Sequence, residues 1–374
     1  MKPLRRVFAL APDCHVSEGY YRVLWRRHFY EGIAACVDQL IVPQSVAFDW
    51  ARWQGSPGQR EEADRKRVEC SERIWEQVRQ AWEEGGLDVL VSYCFSRDVE
   101  LELVRRVAGL GVPWVNFFCD SLHMFEDVRA LAREVSVNWF PETAARSRYE
   151  ALGGKCFCRP YALNPSYLPE LECREHRRTA GFVGFPSANR ITRLGWLRMW
   201  GCRVEIRGRG WVGPSENPFY SAKPWRERLV GLISSGGLSE KILRRMMWPW
   251  VREQAEGELS DEAFFEFLRT TLVSLGLNQG RDECGRLVSY MKMRDLEFPG
   301  YGCCYLTERN EDVISAFEVD REVLVFASSR EAAHWVKEME RHPEQARAIG
   351  RAGRRRVLEE HTWRGRLDEL ARVL

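Results

Sequence analysis

The stretch of this chain with the most chemistry in it is Lys292-Met-Arg-Asp-Leu-Glu-Phe-Pro-Gly-Tyr-Gly-Cys-Cys-Tyr-Leu-Thr-Glu308. Two cations, Lys292 and Arg294, open a helical pattern, the carboxylate of Glu297 follows within a turn, and Gly300 and Gly302 turn the chain into an apolar strand. Free N–H groups and the dipole at a helix start gather anionic phosphates. A carboxylate beside them can accept both hydroxyls of a ribose, as in dinucleotide sites. The same pattern also serves plain helix–turn–strand packing, and the residues alone leave both readings open. A second group is Asp120 and His123, which follow the apolar run 113–118. Doubly wound sheets open their ligand crevice at the carboxyl ends of strands. Asp120 there is placed to act as general base or acceptor anchor, or merely to cap the next helix. His15 and Glu18, after the first strand, look onto the same kind of crevice.

Metal chemistry has little support. Cys156, Cys158, Cys173 and His176 are zinc-type ligands, but the first two alternate within a strand pattern, where cysteine behaves as a small core residue. No Asp-x-Asp pair occurs anywhere in the chain, so a metal-held diphosphate is not expected.

The elements that must position these groups alternate along the sequence. Apolar runs at 5–11, 39–43, 87–93, 113–118, 135–139, 156–160, 179–184, 202–207, 271–277, 302–307 and 322–326 read as strands. Amphipathic helices are expected at 17–35, 62–84, 98–109, 142–152, 189–199, 329–340 and 342–358, with a further helix opening at Ser260-Asp261. Continuous apolar strands with helices between them predict parallel sheets covered on both faces, an α/β doubly wound class. The proline-containing, charged segment 160–178 predicts a linker between two such domains. A block at 212–258, rich in Trp, Met and Arg, interrupts the alternation as an amphipathic helical insert. It reads either as an extra helical pair packed on its domain or as a partner-, acceptor- or membrane-facing surface, with Trp225, Leu229, Met246, Met247 and Trp248 on one apolar face.

The 374 residues, 45% apolar and 29% charged, fit a globular chain of two or three domains and exclude disorder or coiled coil for its bulk. Net charge is +2, and arginine outnumbers lysine 49 to 7, so local arginine clusters such as 351–356 carry little weight for nucleic acid. No apolar run spans a bilayer, and Val7 to Ala11 is too short for a secretory core, so a cytoplasmic protein with reduced cysteines is expected.

From Ser274 onward the chain resembles the CgeB-like, spore-maturation-type members of the group 1 glycosyltransferases. The likeness rests on SLGLN (274–278), KMRDLEFPGYGCCYLTE (292–308), EVLVFASSREAAHWVKEM (322–339) and ARAIGRAGRRRVLEEHTWRGRLDEL (346–370). Shorter pieces continue it upstream: DVLVSY (88–93), VNFFCDSLHMF (115–125), RPYALNP (159–165), FVGF (182–185), RGRGW (207–211) and LSDEAFFEFLRTT (259–271).

That resemblance implies a GT-B fold of two Rossmann-like domains facing a cleft: an acceptor-side domain at 1–165 and a donor domain at 176–359. A final helix in 360–374, with Thr362 as its N-cap, returns to the first domain. It implies a nucleoside diphosphate sugar as co-substrate, no cofactor and no metal. Glu297, facing a solvent-filled crevice, takes the ribose hydroxyls. Lys292 and Arg294 neutralise the diphosphate, with Arg190, the Gly208/Gly210 loop, Gly300, Gly302 and Asn278 in the same donor site. Asp120, His123 and Glu18 are left as catalytic candidates. Ser289 stands where many retaining relatives carry a second glutamate, which leaves retention and inversion open. The acceptor is expected to be a glycan, protein or small molecule, with a homo-oligomer formed through the 212–258 insert. The rival readings are a nucleotide-sugar-binding protein or epimerase-like enzyme without transfer, and transfer to a modified base in DNA, which the near-zero net charge opposes.

Overall fold

Short runs buried along their whole length, such as Val89–Ser92, Trp114–Phe117 and Val137–Phe140, have no polar face to offer water and so sit between two layers of helix. In a computed structural model of the protein they lie inside a fully parallel sheet. The structure describes residues 3–11, 23–44, 46, 57–119, 121–168, 176, 178–212, 238–281 and 286–374. Two compact units divide the chain: Met1–Tyr167 with Arg281–Arg286 and Glu359–Leu374, and Leu168–Gly280 with Leu287–Leu358.

The first unit runs β1 (Arg6–Leu10), α1 (a wide-turned Val23–Tyr30 continuing as Glu31–Ala34), β2 (Gln39–Ile41), α2 (Pro57–Gly85), β3 (Val89–Ser92) and α3 (Leu101–Gly109). It continues with β4 (Trp114–Phe117), α4 (Phe125–Glu134), β5 (Val137–Phe140), α5 (Arg146–Glu150) and β6 (Lys155–Cys158). Strand order is β2-β1-β3-β4-β5-β6, so the winding reverses between β1 and β3.

The second unit runs β7 (Arg178–Val183), α6 (Ala188–Met199), β8 (Val204–Arg207), α7 (Leu238–Glu253), β9 (Ala255–Glu256), α8 (Asp261–Arg269) and β10 (Thr271–Gly276). A two-stranded ribbon of β11 (Gln279–Arg281) and β12 (Leu287–Ser289) precedes α9 (Arg294–Gly300) and β13 (Cys304–Glu308). Then come α10 (Glu311–Ala316), β14 (Leu324–Phe326), α11 (Ser329–Arg341) and α12 (Pro343–Glu360). The parallel sheet has the order β9-β8-β7-β10-β13-β14. Counted within the unit this is 3-2-1-4-5-6, the Rossmann order, with its reversal between β7 and β10.

The last helix, α13 (Trp363–Val373), belongs to the first unit. Thr362 occupies its N-cap position but makes no side-chain cap bond; it is held instead by a bridge to Leu163. Trp363 is fully buried, its indole N–H donates to the His28 carbonyl, and its ring lies edge-on to Phe29, Trp139 and Tyr161. Gly32 makes room for it: a Cβ there would come within 2.3 Å of the indole.

The 212–258 block is corrected in part. Residues 213–237, with Trp225 and Leu229, lie outside the described residues. In α7, Met247, Trp248 and Val251 turn into the unit's own core, where Trp248 stacks on Trp211 and Met247 fills the space left by Gly195 of α6. Of the described residues of the expected apolar face, Met246 alone, joined by Ile242 and Trp250, points outward.

Candidate functional site

The carboxyl ends of β7 and β10, where the second sheet reverses, carry Gly184 and Leu277-Asn278. Gly184 stands at φ 156°, where a side chain would be strained and crowded. A Cβ on it would meet Phe182 at 3.0 Å, Arg294 Nη2 at 3.2 Å and Arg190 Nη1 at 3.4 Å. Two guanidinium groups therefore converge over one side-chain-free residue at the switch point. Arg190 reaches there from the first turn of α6, whose N-cap Ser187 accepts the Arg190 backbone N–H. Its Nε donates to the Leu277 carbonyl at 3.0 Å and its Nη1 to Phe185 at 2.8 Å, so it ties the two strand ends together. Arg294, the first residue of α9, lies over the rings of Phe182 and Phe298 and donates to Asn278 Oδ1 at 3.5 Å. Both arginines lie over the Phe182 ring, which supports two like charges near each other by cation–π attraction.

The wall opposite is backbone. Gly208 at φ 138° packs so closely that a Cβ would come within 2.4 Å of the Gly184 carbonyl oxygen, the same oxygen that accepts Trp211 Nε1 at 2.6 Å. Gly210 at φ 84° lies over Pro186 in the same way. Lys292 sits just outside α9 with its ammonium 4.7 Å from the centre of the Tyr290 ring.

Behind Arg294 is a buried carboxylate with no prominent signal in the sequence. Asp295 is fully buried; it accepts Lys292 N at 2.6 Å, Asn278 Nδ2 at 2.9 Å on each oxygen, Tyr305 Oη at 2.7 Å and Thr307 Oγ1 at 3.3 Å. Burial raises its pKa above the ordinary carboxylate range, opposed by the Lys292 N–H, the Tyr305 hydroxyl and the Arg294 charge. Because the Asn278 amide nitrogen is committed to Asp295, its oxygen is turned toward Arg294. A second hidden carboxylate, Glu308 at the end of β13, accepts Asn189 Nδ2 and Arg193 Nε at 3.0 Å each and Gln279 N at 2.8 Å. Arg193 also holds Gln279 Oε1, and Ser289 Oγ bonds the Arg309 carbonyl, so the β11–β12 ribbon is fastened to the crevice rim. Spacing offered one clue, Asn189 and Arg193 being i and i+4 on α6, but their common partner lies more than a hundred residues away.

Other expected site residues stand differently. Glu297 is only 2% exposed and its Oε1 accepts the Tyr301 hydroxyl at 3.2 Å, so it is part of the packed α9 rather than facing a solvent-filled crevice. Gly300 and Gly302 lie at the far end of α9, about 9 Å along the axis from Arg294. There the Gly300 carbonyl accepts Arg354, and Gly302 touches Gly350 so closely that a Cβ on Gly350 would lie 2.1 Å from the Gly302 oxygen. These two glycines pack α9 against α12 and are removed from the converging arginines.

In the first unit the reversal point lies between the ends of β1 and β3. Tyr30 brackets Ala11 there, its hydroxyl accepting the Ala11 N–H and donating to the Ala11 carbonyl. Asn116 of β4 bonds both the N–H and C=O of Cys94, and Tyr93 Oη lies 2.9 Å from Cys119 Sγ. His123 is exposed in the turn before α4, a turn pinned by Arg148 to the Ser121 and Leu122 carbonyls. Asp120, Glu18 and His15 lie outside the described residues. Among the described residues no group of three or more His, Cys, Asp or Glu is placed to hold a metal, and no helix is long and apolar enough to cross a membrane.

Residues 196–372 match a family described as glycosyl transferase-like. No curated protein matches the chain in sequence. In structure it is similar to sucrose-phosphate synthase from Thermosynechococcus elongatus (11% identity, TM-score 0.58, covering 99% of this chain and 98% of that one). It is likewise similar to Anabaena Alr3699/HepE in complex with UDP-glucose (9%, 0.59, covering 98% and 100%). AviGT4, a glycosyltransferase involved in avilamycin A biosynthesis, gives 13% identity and a TM-score of 0.59, covering 99% of this chain and 97% of that one. The likeness in structure establishes a GT-B fold. The family match makes residues 196–372, which hold Asn278, Arg294, Asp295 and Glu297, a glycosyltransferase-type domain.

Proposed function

We propose that this chain moves a sugar from a nucleoside diphosphate sugar to an acceptor hydroxyl, as a CgeB-like GT-B glycosyltransferase that needs no metal ion. The observation that carries the reading is the convergence of Arg190 and Arg294 over Gly184 at the switch point of a Rossmann-ordered sheet. A diphosphate brought to Gly184 meets two fixed cations and the side-chain-free backbone at Gly208. Charge placed in advance stabilises the departing diphosphate without reorganisation at the moment of reaction. Lys292 adds a third cation at the rim and Asn278 holds Arg294 in line; Glu297, buried here with the Tyr301 hydroxyl on its carboxylate, is kept as the candidate for the ribose, a role its alanine variant tests. On the acceptor side Asp120 is the first choice for the base, with His123 just after it in sequence and Glu18, after the first strand, as further candidates. The UDP and UDP-glucose complexes of the Anabaena relative favour a uridine nucleotide as the first donor to try.

The test is calorimetric titration of the chain with UDP, then of Arg190→Met and Arg294→Met. Each guanidinium–phosphate bond is worth ~1.5–3 kcal/mol, so each variant should weaken binding by about 10- to 150-fold. Wild-type affinity in both variants would remove the site from this crevice. The retired-binder alternative is favoured by one observation, the Ser289 hydroxyl already committed to the Arg309 carbonyl. It would be chosen by tight UDP-sugar binding with neither transfer nor hydrolysis.

A further inference from the structure

The outward side of α7 carries two neighbouring stripes that the donor reading does not use. Ile242, Met246 and Trp250, at i, i+4 and i+8, form one ridge and are 53%, 60% and 40% exposed. Lys241, Arg245 and Arg252 lie on the adjacent stripe, and among the described residues none of the three has an ion-pair partner. The nearby acids are committed elsewhere, Glu240 to Arg244 and Glu253 to Arg198 of α6. The helix cannot roll to hide the ridge, because Met247, Trp248 and Val251 on its other side are locked into the core. At the end of α6, which runs alongside, Met199 and Trp200 are exposed too, with Arg330 stacked over the Trp200 ring.

We propose that this face of α7 docks the protein onto an anionic phospholipid bilayer, the Ile242–Met246–Trp250 ridge entering the interface and Lys241, Arg245 and Arg252 meeting lipid phosphates. Apolar and cationic stripes side by side on one helix are the signature of a helix lying in the headgroup plane. Tryptophan suits that depth, with an apolar body and an N–H for the wet side. A second copy of the chain is a poor occupant, since a twofold contact through this patch would bring its cationic stripe close to that of the copy. Charge complementarity instead calls for a negative surface that is also soft enough to admit the ridge.

The experiment is co-sedimentation of the full chain with phosphatidylglycerol-containing vesicles and with pure phosphatidylcholine vesicles, at low and high salt. Binding is expected to the anionic vesicles only and to fall with salt. Each cation near the surface contributes about a fivefold change, so Arg245→Gln with Arg252→Gln should weaken partitioning about 30-fold. Met246→Ser with Trp250→Ser should weaken it further at high salt, where the apolar share dominates. Circular dichroism and UDP affinity, both unchanged in these surface variants, show that the fold and the other site are intact. Equal binding to both lipids, no binding to either, or wild-type binding by both variant pairs overturns the proposal; absence of vesicle binding would leave the patch to an acidic protein surface.

Discussion

Replacing Asp295 with asparagine changes one atom and should disturb the whole donor crevice. The carboxylate oxygens receive unequal sets of donors: Oδ1 takes Asn278 Nδ2, Tyr305 Oη and Thr307 Oγ1, and Oδ2 takes Asn278 Nδ2 and Lys292 N. An asparagine keeps the three bonds on one side only by turning its own amide nitrogen toward the Lys292 N–H, which now stands 2.6 Å from an acceptor. One charge-assisted bond, worth ~1.5–3 kcal/mol, becomes a donor facing a donor, and the surviving bonds lose their charge. Relief of burying an anion offsets part of this, leaving a net loss of about 2–4 kcal/mol. With a urea dependence of ~2–3 kcal/mol per molar, the unfolding midpoint of the transition containing the second unit should fall by roughly 1 M. The function should suffer as well. With residue 295 neutral, the Asn278 amide keeps one of its two bonds there and only without the charge, so it holds Arg294 less firmly, and Arg294 loses the nearby anion. UDP affinity measured well below the transition should drop about 10-fold, equivalent to ~1.4 kcal/mol. An Asp295→Asn chain whose urea midpoint and UDP affinity both match wild type would show that this network neither stabilises the unit nor sets Arg294.

Four further outcomes are expected. Glu297→Ala should weaken UDP binding by about 2–4 kcal/mol, roughly 30- to 1000-fold, with 2′-deoxy-UDP bound worse than UDP by the wild type only; because Tyr301 donates to Glu297, a stability loss of ~1–3 kcal/mol should accompany it. Equal ribo and deoxy affinities would move the ribose elsewhere. Asp120→Asn should cut turnover by about 10²-fold or more with UDP affinity little changed, and wild-type turnover would reduce that residue to a cap. Donor turnover should survive excess chelator; a loss restored by manganese would contradict metal-independent chemistry. Burial pushes the Cys303 thiol up to about 12 and Cys304 in the same direction, so neither forms appreciable thiolate at pH 8. Mass spectrometry after iodoacetamide should find both unmodified in native protein and modified in urea, and native labelling at the rate of an open thiol would refute this burial.

What could be read from the sequence was what repeats locally. All eleven strand runs fall on observed strands; for those buried along their length, such as β3, β4 and β5, this is because a strand covered on both faces is apolar whatever it pairs with, while β2 and β6 are partly exposed edge strands. The two-residue β9 and the ribbon strands β11 and β12 were missed for the converse reason: they are short, and the ribbon strands are partly exposed and held by side chains distant in sequence. Within the site, Arg190, Arg294 and Asn278 were visible as types at the start of helices or the end of strands. Asp295 and Glu308 were not, although both stand in the run that drew attention. A buried acid announces itself only through its partners, and Asn278, Asn189 and Arg193 come from other elements. Glu297 shows the limit from the other side: its position on a helix was legible, but the Tyr301 hydroxyl that encloses it was not.

The return of α13 to the first unit has a consequence for the order in which the protein is made. Residues 359–374 leave the ribosome after the whole second unit, about 190 residues behind Tyr167. At 5–20 residues per second that is a delay of roughly 10–40 s. Throughout it the pocket framed by Phe29, Gly32, Trp139 and Tyr161 lacks the indole of Trp363. The nascent first unit therefore waits with an apolar socket open while its neighbour is synthesised, a window in which a chaperone has something to hold. The unit that begins first is the one completed last.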